Sequence, residues 1–179
     1  ALSSTYPPGS TIKMIVALSA LENKIITKNF KHICKGDVEL YGQKYHCWKE
    51  KGHGLVNLKN ALKQSCDIYF YEVARLLGID RLHKTAKKFG LGELVLKNFN
   101  EEKQGLIPNT SWKLDVIGKP WYLGETMISG IGQGYMKSTS IQLCTMMAQF
   151  ANGGYKIQPI FNNDNNICLL YTSDAADES

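Results

Sequence analysis

The sequence predicts a mainly α-helical fold, and two observations carry that prediction. The run from Met14 to Leu21 is apolar except for Ser19, a pattern typical of a helix that is buried on all sides. Four further segments have helical spacing, with a capping residue at their start or glycine after their end. They are Leu58–Lys63 after Asn57, Asp67–Leu77 before Gly78, Asp80–Phe89 capped by Asp80 and ended by Gly90, and the segment from Ser140 to Asn152-Gly153-Gly154.

The first helix is preceded by the stretch Tyr6-Pro-Pro-Gly-Ser-Thr-Ile-Lys13. Proline fixes φ and disfavours the α conformation in the residue before it, so no helix is expected up to Gly9. Ser10 then lies at the mouth of a buried helix, where a hydroxyl residue is a good N-terminal cap. Lys13 lies one turn further along the same helix face.

A serine followed three residues later by a lysine has a chemical use. A serine hydroxyl is a weak nucleophile until a base takes its proton, and a lysine can be that base when burial lowers its pKa. The positive end of the helix favours an alkoxide at the same place. The alternative is that Ser10 only caps the helix and Lys13 extends to water. Taken alone, the Ser-x-x-Lys spacing favours this alternative, because it is common by chance.

A second hydroxyl and a carboxylate occur together in Ser65-Cys66-Asp67, at the break between two predicted helices. Residues of these types also cap helices, and capping and chemistry can coexist at one turn. The motif therefore strengthens the hypothesis that Ser10 and Lys13 belong to a catalytic site, but it does not assign a role to either residue.

The remaining connections contain no predicted helix. In residues 33–54, glycines mark turns between short strand-like pieces such as Val38–Tyr41. Residues 91–121 have the composition of a loop. The glycines of Gly130–Gly134 have the spacing neither of a dinucleotide fingerprint nor of a P-loop. They predict a tight backbone turn that lets the next helix pack near Ser10.

The chain contains five motifs in a fixed order, and together they are far more specific for a protein family than any one of them alone. They are Tyr6-Pro-Pro-Gly-Ser-Thr-Ile-Lys13, Gly52-His53-Gly54, Ser65-Cys-Asp67, Lys119-Pro120-Trp121 and Gly130-Ile-Gly-Gln-Gly-Tyr135. From about Tyr6 to Phe161 the chain resembles the transpeptidase domain of penicillin-binding protein 2, the elongation-specific class B family of rod-shaped bacteria. The resemblance implies the helical portion of the α/β penicillin-binding and serine β-lactamase-like transpeptidase fold, with most of the central sheet missing. It divides the chain into a partial transpeptidase domain, residues 1–161, and a non-native or disordered tail, residues 162–179.

The resemblance also implies a peptidoglycan D,D-transpeptidase that cross-links the cell wall through an acyl-enzyme. Ser10 would attack the D-Ala-D-Ala stem peptide or a β-lactam, and Lys13 would take its proton. Ser65 would relay a proton to the leaving amine, while Asp67 would hold Lys13 and the substrate. The substrate-binding residues would be Gly132, Gln133 and Gly134. The alternatives are a serine β-lactamase, or a non-enzymatic β-lactam sensor or zinc-stabilised module.

Parts of the family pattern are expected to lie outside this chain. Neither Lys-Thr-Gly nor Lys-Ser-Gly occurs in it, so the isolated chain is expected to have little or no activity. The resemblance implies a membrane anchor upstream, with the catalytic domain in the periplasm at the bacterial inner membrane. It implies a membrane glycosyltransferase and the elongation complex as partners. The formal charge of +5 comes from scattered lysines, which does not favour nucleic-acid binding, and no apolar run has the length of a membrane span.

Three cysteines and a histidine are spaced as Cys-x12-Cys-x5-His-x12-Cys, at Cys34, Cys47, His53 and Cys66. Zinc prefers four sulfur or nitrogen ligands in a tetrahedron, and related sequences place metal-capable side chains at similar positions. The spacing predicts a structural Zn²⁺ that ties residues 33–54 to the Ser65–Asp67 turn, with His46 as a substitute ligand; no organic cofactor is implied. The alternative is a disulfide, which the periplasm permits, with one free cysteine. Cys144 is expected in the core, and Cys168 falls in the tail.

Overall fold

The computed structural model describes residues 2–40, 42–96 and 99–160. The tail assigned to residues 162–179, with Cys168, lies outside the described residues. The chain divides into a larger unit, Pro7–Thr85 with Pro108–Met136, and a smaller unit, Ala1–Tyr6 with Ala86–Ile107 and Lys137–Ser179. None of the helices in the described part is long and apolar enough to cross a membrane.

Helices dominate the described residues, as the sequence predicts, and the strands are short. The helices are α1 (Ile12–Glu22), α2 (Leu58–Lys63), α3 (Asp67–Leu77), α4 (Ile79–Lys88), α5 (Thr110–Ile117), α6 (Leu123–Ser129) and α7 (Ser140–Ala151). The strands are β1 (Lys31–Cys34), β2 (Asp37–Leu40), β3 (Gln43–His46) and β4 (Gly54–Asn57). Strand β1 pairs antiparallel with β4, and β2 pairs antiparallel with β3.

The core of the larger unit is the contact between α1 and α3. In α1 the side chains of Ile12, Ile15 and Val16 are fully buried. Full burial of one such side chain contributes roughly 1.5–3 kcal/mol. The predicted apolar run is buried at most of its positions, but its last residue, Leu21, is 37% exposed. Helix α3 also packs against α6, β1 and β3, so one helix connects the first helix to the small strands.

Local signals explain where the predicted helix α2 begins and where the predicted helix α3 ends. The side chain of Asn57 accepts a hydrogen bond from Asn60 N–H at 2.9 Å and begins α2 as predicted. Gly78, with φ of 81°, ends α3, because glycine adopts positive φ without steric cost.

The prediction that Asp80 caps α4 is wrong, because α4 begins one residue earlier at Ile79. The Asp80 carboxylate instead accepts hydrogen bonds from the N–H and the hydroxyl of Thr110, each at 3.0 Å. The loop predicted over residues 91–121 is also wrong in part, because it contains α5. The side chain of Asn109 caps α5 at Trp112 N–H, 2.7 Å away, and Gly118 ends it in the left-handed conformation.

In the smaller unit, α7 begins and ends where the sequence predicts. Thr139 caps it by accepting from Gln142 N–H, and the Gln142 side chain accepts from Thr139 N–H in return. The prediction that Cys144 belongs to the core is wrong, because this cysteine lies on the exposed side of α7.

Candidate active site

Ser10 lies in a 3₁₀ turn, Gly9–Thr11, which leads directly into α1. Its side chain does not cap α1, so the capping interpretation is wrong. The Ser10 Oγ atom instead accepts a hydrogen bond from Ser65 Oγ at 3.0 Å. Ser10 is exposed, so a ligand can reach this hydroxyl from solvent.

Lys13 is buried, with 2% of its surface exposed, and it does not extend to water. Its Nζ donates to Asp67 Oδ1 at 2.7 Å, to the Ser65 carbonyl at 2.9 Å and to Ser65 Oγ at 3.0 Å. Three acceptors match the three donors of an ammonium group. The structure therefore joins Lys13 Nζ to Ser10 Oγ through one intermediate hydroxyl, that of Ser65.

Ser65 has a backbone conformation that L residues rarely adopt, with φ of 50°. The turn is fixed by two backbone hydrogen bonds, from Ser65 N–H to Leu62 and from Cys66 N–H to Ala61. Strained residues of this kind persist where the surrounding structure determines them, and they concentrate at functional sites. Here the turn places the Ser65 carbonyl and hydroxyl on the same lysine.

Asp67 is the first residue of α3, and it holds two groups. Its Oδ1 pairs with Lys13, and its Oδ2 accepts from the backbone N–H of Trp48 at 3.0 Å. Trp48 also donates from its indole to the Gln64 carbonyl at 3.0 Å, while 65% of its surface stays exposed. Trp48 therefore presents an exposed aromatic ring beside the serine–lysine site formed by Ser10, Lys13, Ser65 and Asp67. The sequence analysis did not predict this. The available signal was a tryptophan among the glycines of a loop.

The glycine-rich turn lies directly against the residue before Ser10. Gly9 N–H donates to the Gly132 carbonyl at 3.0 Å. A Cβ atom on Gly132 would lie 2.1 Å from the Gly9 carbonyl oxygen, so only glycine fits there. Gln133 and Gly134 follow in exposed positions. The predicted tight turn is confirmed, whereas substrate binding by its three residues stays a prediction.

The predicted metal ligands form one cluster in the larger unit. The ligand atoms of Cys34, Cys47, His53 and Cys66 lie within 4.8 Å of one another. His53 Nδ1 is 3.5 Å from both the Cys34 and Cys47 sulfurs. His46, the substitute ligand, is not among the four. All the cysteines in the described residues are free thiols, so the disulfide alternative is wrong there.

Burial sets the protonation of two members of this cluster. It lowers the pKa of His53, with the nearby Lys49 charge acting in the same direction, so the ring is neutral and able to bind a metal at neutral pH. Burial raises the pKa of the Cys66 thiol, so this thiol stays protonated until a metal or another cation replaces the proton. His53 Nε2 is buried without a hydrogen-bond partner within the described ranges.

The cluster and the serine–lysine site share a single turn. Cys66 lies between Ser65 and Asp67, and Trp48 follows Cys47 directly. The Trp48 ring also packs edge-on against His53, with 5.3 Å between ring centroids. Cys66 of the cluster is therefore joined by one peptide bond to Ser65 and by one to Asp67.

Comparison with known proteins agrees with this arrangement. Residues 1–172 match the family model described as the penicillin binding protein transpeptidase domain. The chain is 41% identical over 156 residues to the peptidoglycan D,D-transpeptidase MrdA of Escherichia coli K12, an alignment that covers 86% of this chain and 25% of that protein. The chain thus spans about a quarter of the length of this curated relative.

Two solved structures share the fold over most of the chain. The structure of Pseudomonas aeruginosa PBP2 with WCK 5153 is 44% identical, with a TM-score of 0.85 over 88% of this chain and 36% of that one. The complex of Helicobacter pylori PBP2 with MreC is 36% identical, with a TM-score of 0.86 over 92% of this chain and 31% of that one. By family model, sequence and fold, the chain belongs to the penicillin-binding protein transpeptidase family.

Proposed function

We propose that this chain carries the nucleophile half of a peptidoglycan D,D-transpeptidase, with Ser10 as the residue that is acylated. The observation that carries the proposal is the chain of hydrogen bonds Lys13 Nζ–Ser65 Oγ–Ser10 Oγ, with links of 3.0 Å each. A nucleophile within hydrogen-bond reach of a base, and a base oriented by a third group, is the general signature of covalent catalysis. Asp67 is the orienting group here.

In the proposed reaction, Ser10 Oγ bonds to the carbonyl carbon of the penultimate D-alanine of a stem peptide. Lys13 first gives one ammonium proton to the Asp67 carboxylate, which it contacts at 2.7 Å, and its free amine then accepts the Ser10 proton through the Ser65 hydroxyl. When the C–N bond breaks, the proton returns through Ser65 to the departing D-alanine nitrogen. The amine of a second stem peptide then attacks the acyl carbon, the ester C–O bond breaks, and the proton of the amine passes through Lys13 and Ser65 to Ser10 Oγ. This forms the cross-link and restores the Ser10 hydroxyl. Proton transfer by positioned groups of this kind contributes about 10²–10⁴-fold to a rate.

Two further groups of the site have proposed roles in the same reaction. The backbone N–H of Ser10 donates to the oxyanion that develops on the attacked carbonyl, the kind of contact whose loss costs about 10²–10³-fold. We also propose that Gly132, Gln133 and Gly134 bind the substrate backbone, because the Gly132 carbonyl accepts the N–H of Gly9, the residue before Ser10. The chain contains no Lys-Thr/Ser-Gly sequence, so we expect acylation to require the longer polypeptide.

The wider setting of the activity is also a proposal. The Helicobacter pylori relative was solved with MreC, which supports a partner of that type for this chain. We further propose an anchor in the inner membrane, a catalytic domain in the periplasm and a membrane glycosyltransferase as a working partner. Penicillins and other β-lactams would acylate Ser10 in place of the stem peptide.

The test uses the extended domain, by which we mean this chain extended to the length of its curated relatives, including the Lys-Thr/Ser-Gly motif. It is incubated with a D-Ala-D-Ala stem peptide and an acceptor amine, and the products are measured by mass spectrometry. The proposal predicts release of D-alanine and a cross-linked product, both lost in Ser10→Ala. A folded extended domain that releases no D-alanine would refute it. Rapid hydrolysis of penicillin without cross-linking would instead indicate a β-lactamase.

We also propose that the Cys34–Cys47–His53–Cys66 cluster holds a structural Zn²⁺. Bond lengths of about 2.3 Å to sulfur and 2.0–2.1 Å to nitrogen place neighbouring tetrahedral ligands about 3.5–3.8 Å apart. The His53 Nδ1 distances of 3.5 Å to two sulfurs support this fit. When bound, zinc would supply a fixed tetrahedral centre for the turn that carries Ser65 and Asp67.

Metal analysis of the purified extended domain tests the zinc proposal. We expect one zinc per chain, lost in Cys47→Ala and kept in the control Cys144→Ala, which removes a cysteine outside the cluster. A strong chelator should lower the melting temperature of the unmodified domain and leave that of Cys47→Ala unchanged. Equal zinc content in Cys47→Ala and the unmodified domain would contradict the proposal.

A further inference from the structure

Helix α5 has the reverse of the usual burial pattern, because its lysine is buried and its apolar residues are exposed. Lys113 is 2% exposed, whereas Leu114 is 59% and Val116 is 66% exposed. Lysine is almost never fully buried unless it is paired. The larger unit therefore contains a second buried lysine, Lys113, which has no part in the reaction proposed for Ser10 and Lys13.

The burial of Lys113 is matched by a complete set of partners. Its Nζ lies 2.5 Å and 2.6 Å from the two carboxylate oxygens of Glu125. The same Nζ lies 4.5 Å from the ring centroid of Tyr122, 5.8 Å from that of Trp121 and 6.0 Å from that of Tyr135. Aromatic faces attract a cation at such distances. Removal of the Glu125 charge leaves Lys113 buried without an anionic partner, which is strongly unfavourable.

Glu125 also determines where α6 begins. Its Oε2 accepts the backbone N–H of Tyr122, the N-cap residue of α6, at 2.8 Å. The Trp121 indole donates to Thr126 Oγ1 at 2.8 Å in the same turn. The ion pair and the cap share one carboxylate, so Glu125 links Lys113 to the first turn of α6.

The other end of α6 reaches the residue before Ser10. A Cβ on Gly130, which follows α6 directly, would lie 2.4 Å from Ala74 Cβ in α3, so the backbones of the two helices are in close contact. Two residues later the Gly132 carbonyl accepts the Gly9 N–H at 3.0 Å. Helix α6 is thus a seven-residue link from the ion pair to the backbone that carries the nucleophile.

We propose that Lys113 and Glu125 are positioning residues for the nucleophile, which act through α6 and Gly132 on Gly9 and Ser10. The inference rests on the proposed function, because it concerns the rate at which Ser10 is acylated. Lys113 Nζ is buried against the Glu125 carboxylate, so the proposed effect is carried by the backbone. The pair sets the distance and direction of Ser10 Oγ, and a misplacement of about 1 Å can cost about 10²-fold in rate.

The test compares acylation of the extended domain by a fluorescent penicillin in stopped flow, which separates initial binding from the acylation step. Glu125→Gln keeps an acceptor for Tyr122 N–H but removes the charge, and Lys113→Met keeps the aliphatic stem between the rings. We expect the acylation rate at saturating penicillin to fall about 10–100-fold in both. The dissociation constant of the initial complex should change less than about threefold, because the effect is on the reacting geometry.

Leu82→Ala is the stability control, since Leu82 is fully buried in the same unit but outside α5 and α6. All rates are measured well below the lowest melting temperature. A Leu82→Ala domain with a matched drop in melting temperature and a normal acylation rate supports the proposal. Normal rates in folded Glu125→Gln and Lys113→Met overturn it, as does an equal slowing in Leu82→Ala.

Glu125→Asp keeps the negative charge and serves if Glu125→Gln does not fold. We expect this variant to acylate more slowly than the unmodified domain with an unchanged initial complex, and a normal rate overturns the proposal. An unmodified extended domain that forms no adduct overturns the proposed function itself, so the two failures are distinguishable.

Discussion

The ion pair between Lys13 and Asp67 gives the sharpest stability prediction. The Lys13 side chain is 2% exposed and that of Asp67 is 14% exposed, with 2.7 Å between the charged atoms. Removing one partner of a buried pair typically costs about 3–5 kcal/mol, because the remaining charge stays buried without compensation. Asp67→Ala should therefore lower the free energy of unfolding by about 3–5 kcal/mol and abolish acylation of Ser10.

The matched control is Asp67→Asn, which retains the shape of the side chain. Its amide oxygen can still accept from Lys13 Nζ, but its amide nitrogen cannot accept the Trp48 N–H that Asp67 Oδ2 binds at 3.0 Å. We expect Asp67→Asn to be less stable than the unmodified domain and more stable than Asp67→Ala, with acylation slowed but detectable.

Urea unfolding of the extended domain, followed by tryptophan fluorescence, measures the three free energies. The slopes of free energy against urea should agree, so that midpoints compare stability directly. A free energy for Asp67→Ala within about 0.5 kcal/mol of the unmodified value, the range of ordinary surface substitutions, would refute the reasoning. It would mean that Lys13 finds equivalent partners without the carboxylate.

Three further experiments test other parts of the account. Ser65→Ala removes the hydroxyl between lysine and nucleophile, and stopped-flow labelling with penicillin should show acylation slowed about 10²–10⁴-fold; a normal rate would exclude the relay. Gly132→Ala should lower both the melting temperature and the acylation rate, because its Cβ would lie 2.1 Å from the Gly9 carbonyl oxygen. Gly134→Ala has nearly the same φ, and its Cβ would lie 3.4 Å from Ile128, so it measures the cost of positive φ alone; equal effects of the two substitutions would exclude the clash. The hydrogen bond from Arg75 lowers the pKa of Glu72 below its ordinary value of 4.5. The ion pair therefore stabilises the folded state fully at pH values above 4.5, and this stabilisation is lost as the pH falls through the lowered pKa. Unfolding of Glu72→Gln should therefore show a deficit of about 0.5–1 kcal/mol at pH 7 that disappears in acid; a deficit independent of pH would contradict this.

The elements that the sequence predicted well are those in which local signals agree. Helix α1 follows from an apolar run behind two prolines, and α2 follows from Asn57 as a cap before helical spacing. Helix α5 was missed because its pattern is inverted. Its buried residue is Lys113, whereas Leu114 and Val116 face solvent, and tertiary partners that lie later in the chain override the pattern.

The residues of the site and the contact of Asp67 with Lys13 were predicted from the sequence and the resemblance, but the bridging position of Ser65 between Lys13 and Ser10 was not. Spacing on one helix places Ser10 and Lys13 together, and resemblance adds Ser65 and Asp67. That the hydroxyl of Ser65 lies between Lys13 and Ser10 depends on its positive φ, which no sequence rule requires of a serine. The contact of Trp48 with Asp67 could not be predicted either, because the backbone N–H makes it and every residue except proline has that group.

The central claim is that Ser10 is the nucleophile, and intact-mass spectrometry after incubation with penicillin tests it most directly. The extended domain should gain the mass of one penicillin, and peptide mapping should place that mass on Ser10. Ser10→Ala should gain nothing while keeping its melting temperature, since the Ser10 side chain is exposed. A stable adduct in Ser10→Ala, or none in a folded unmodified domain, would contradict the claim.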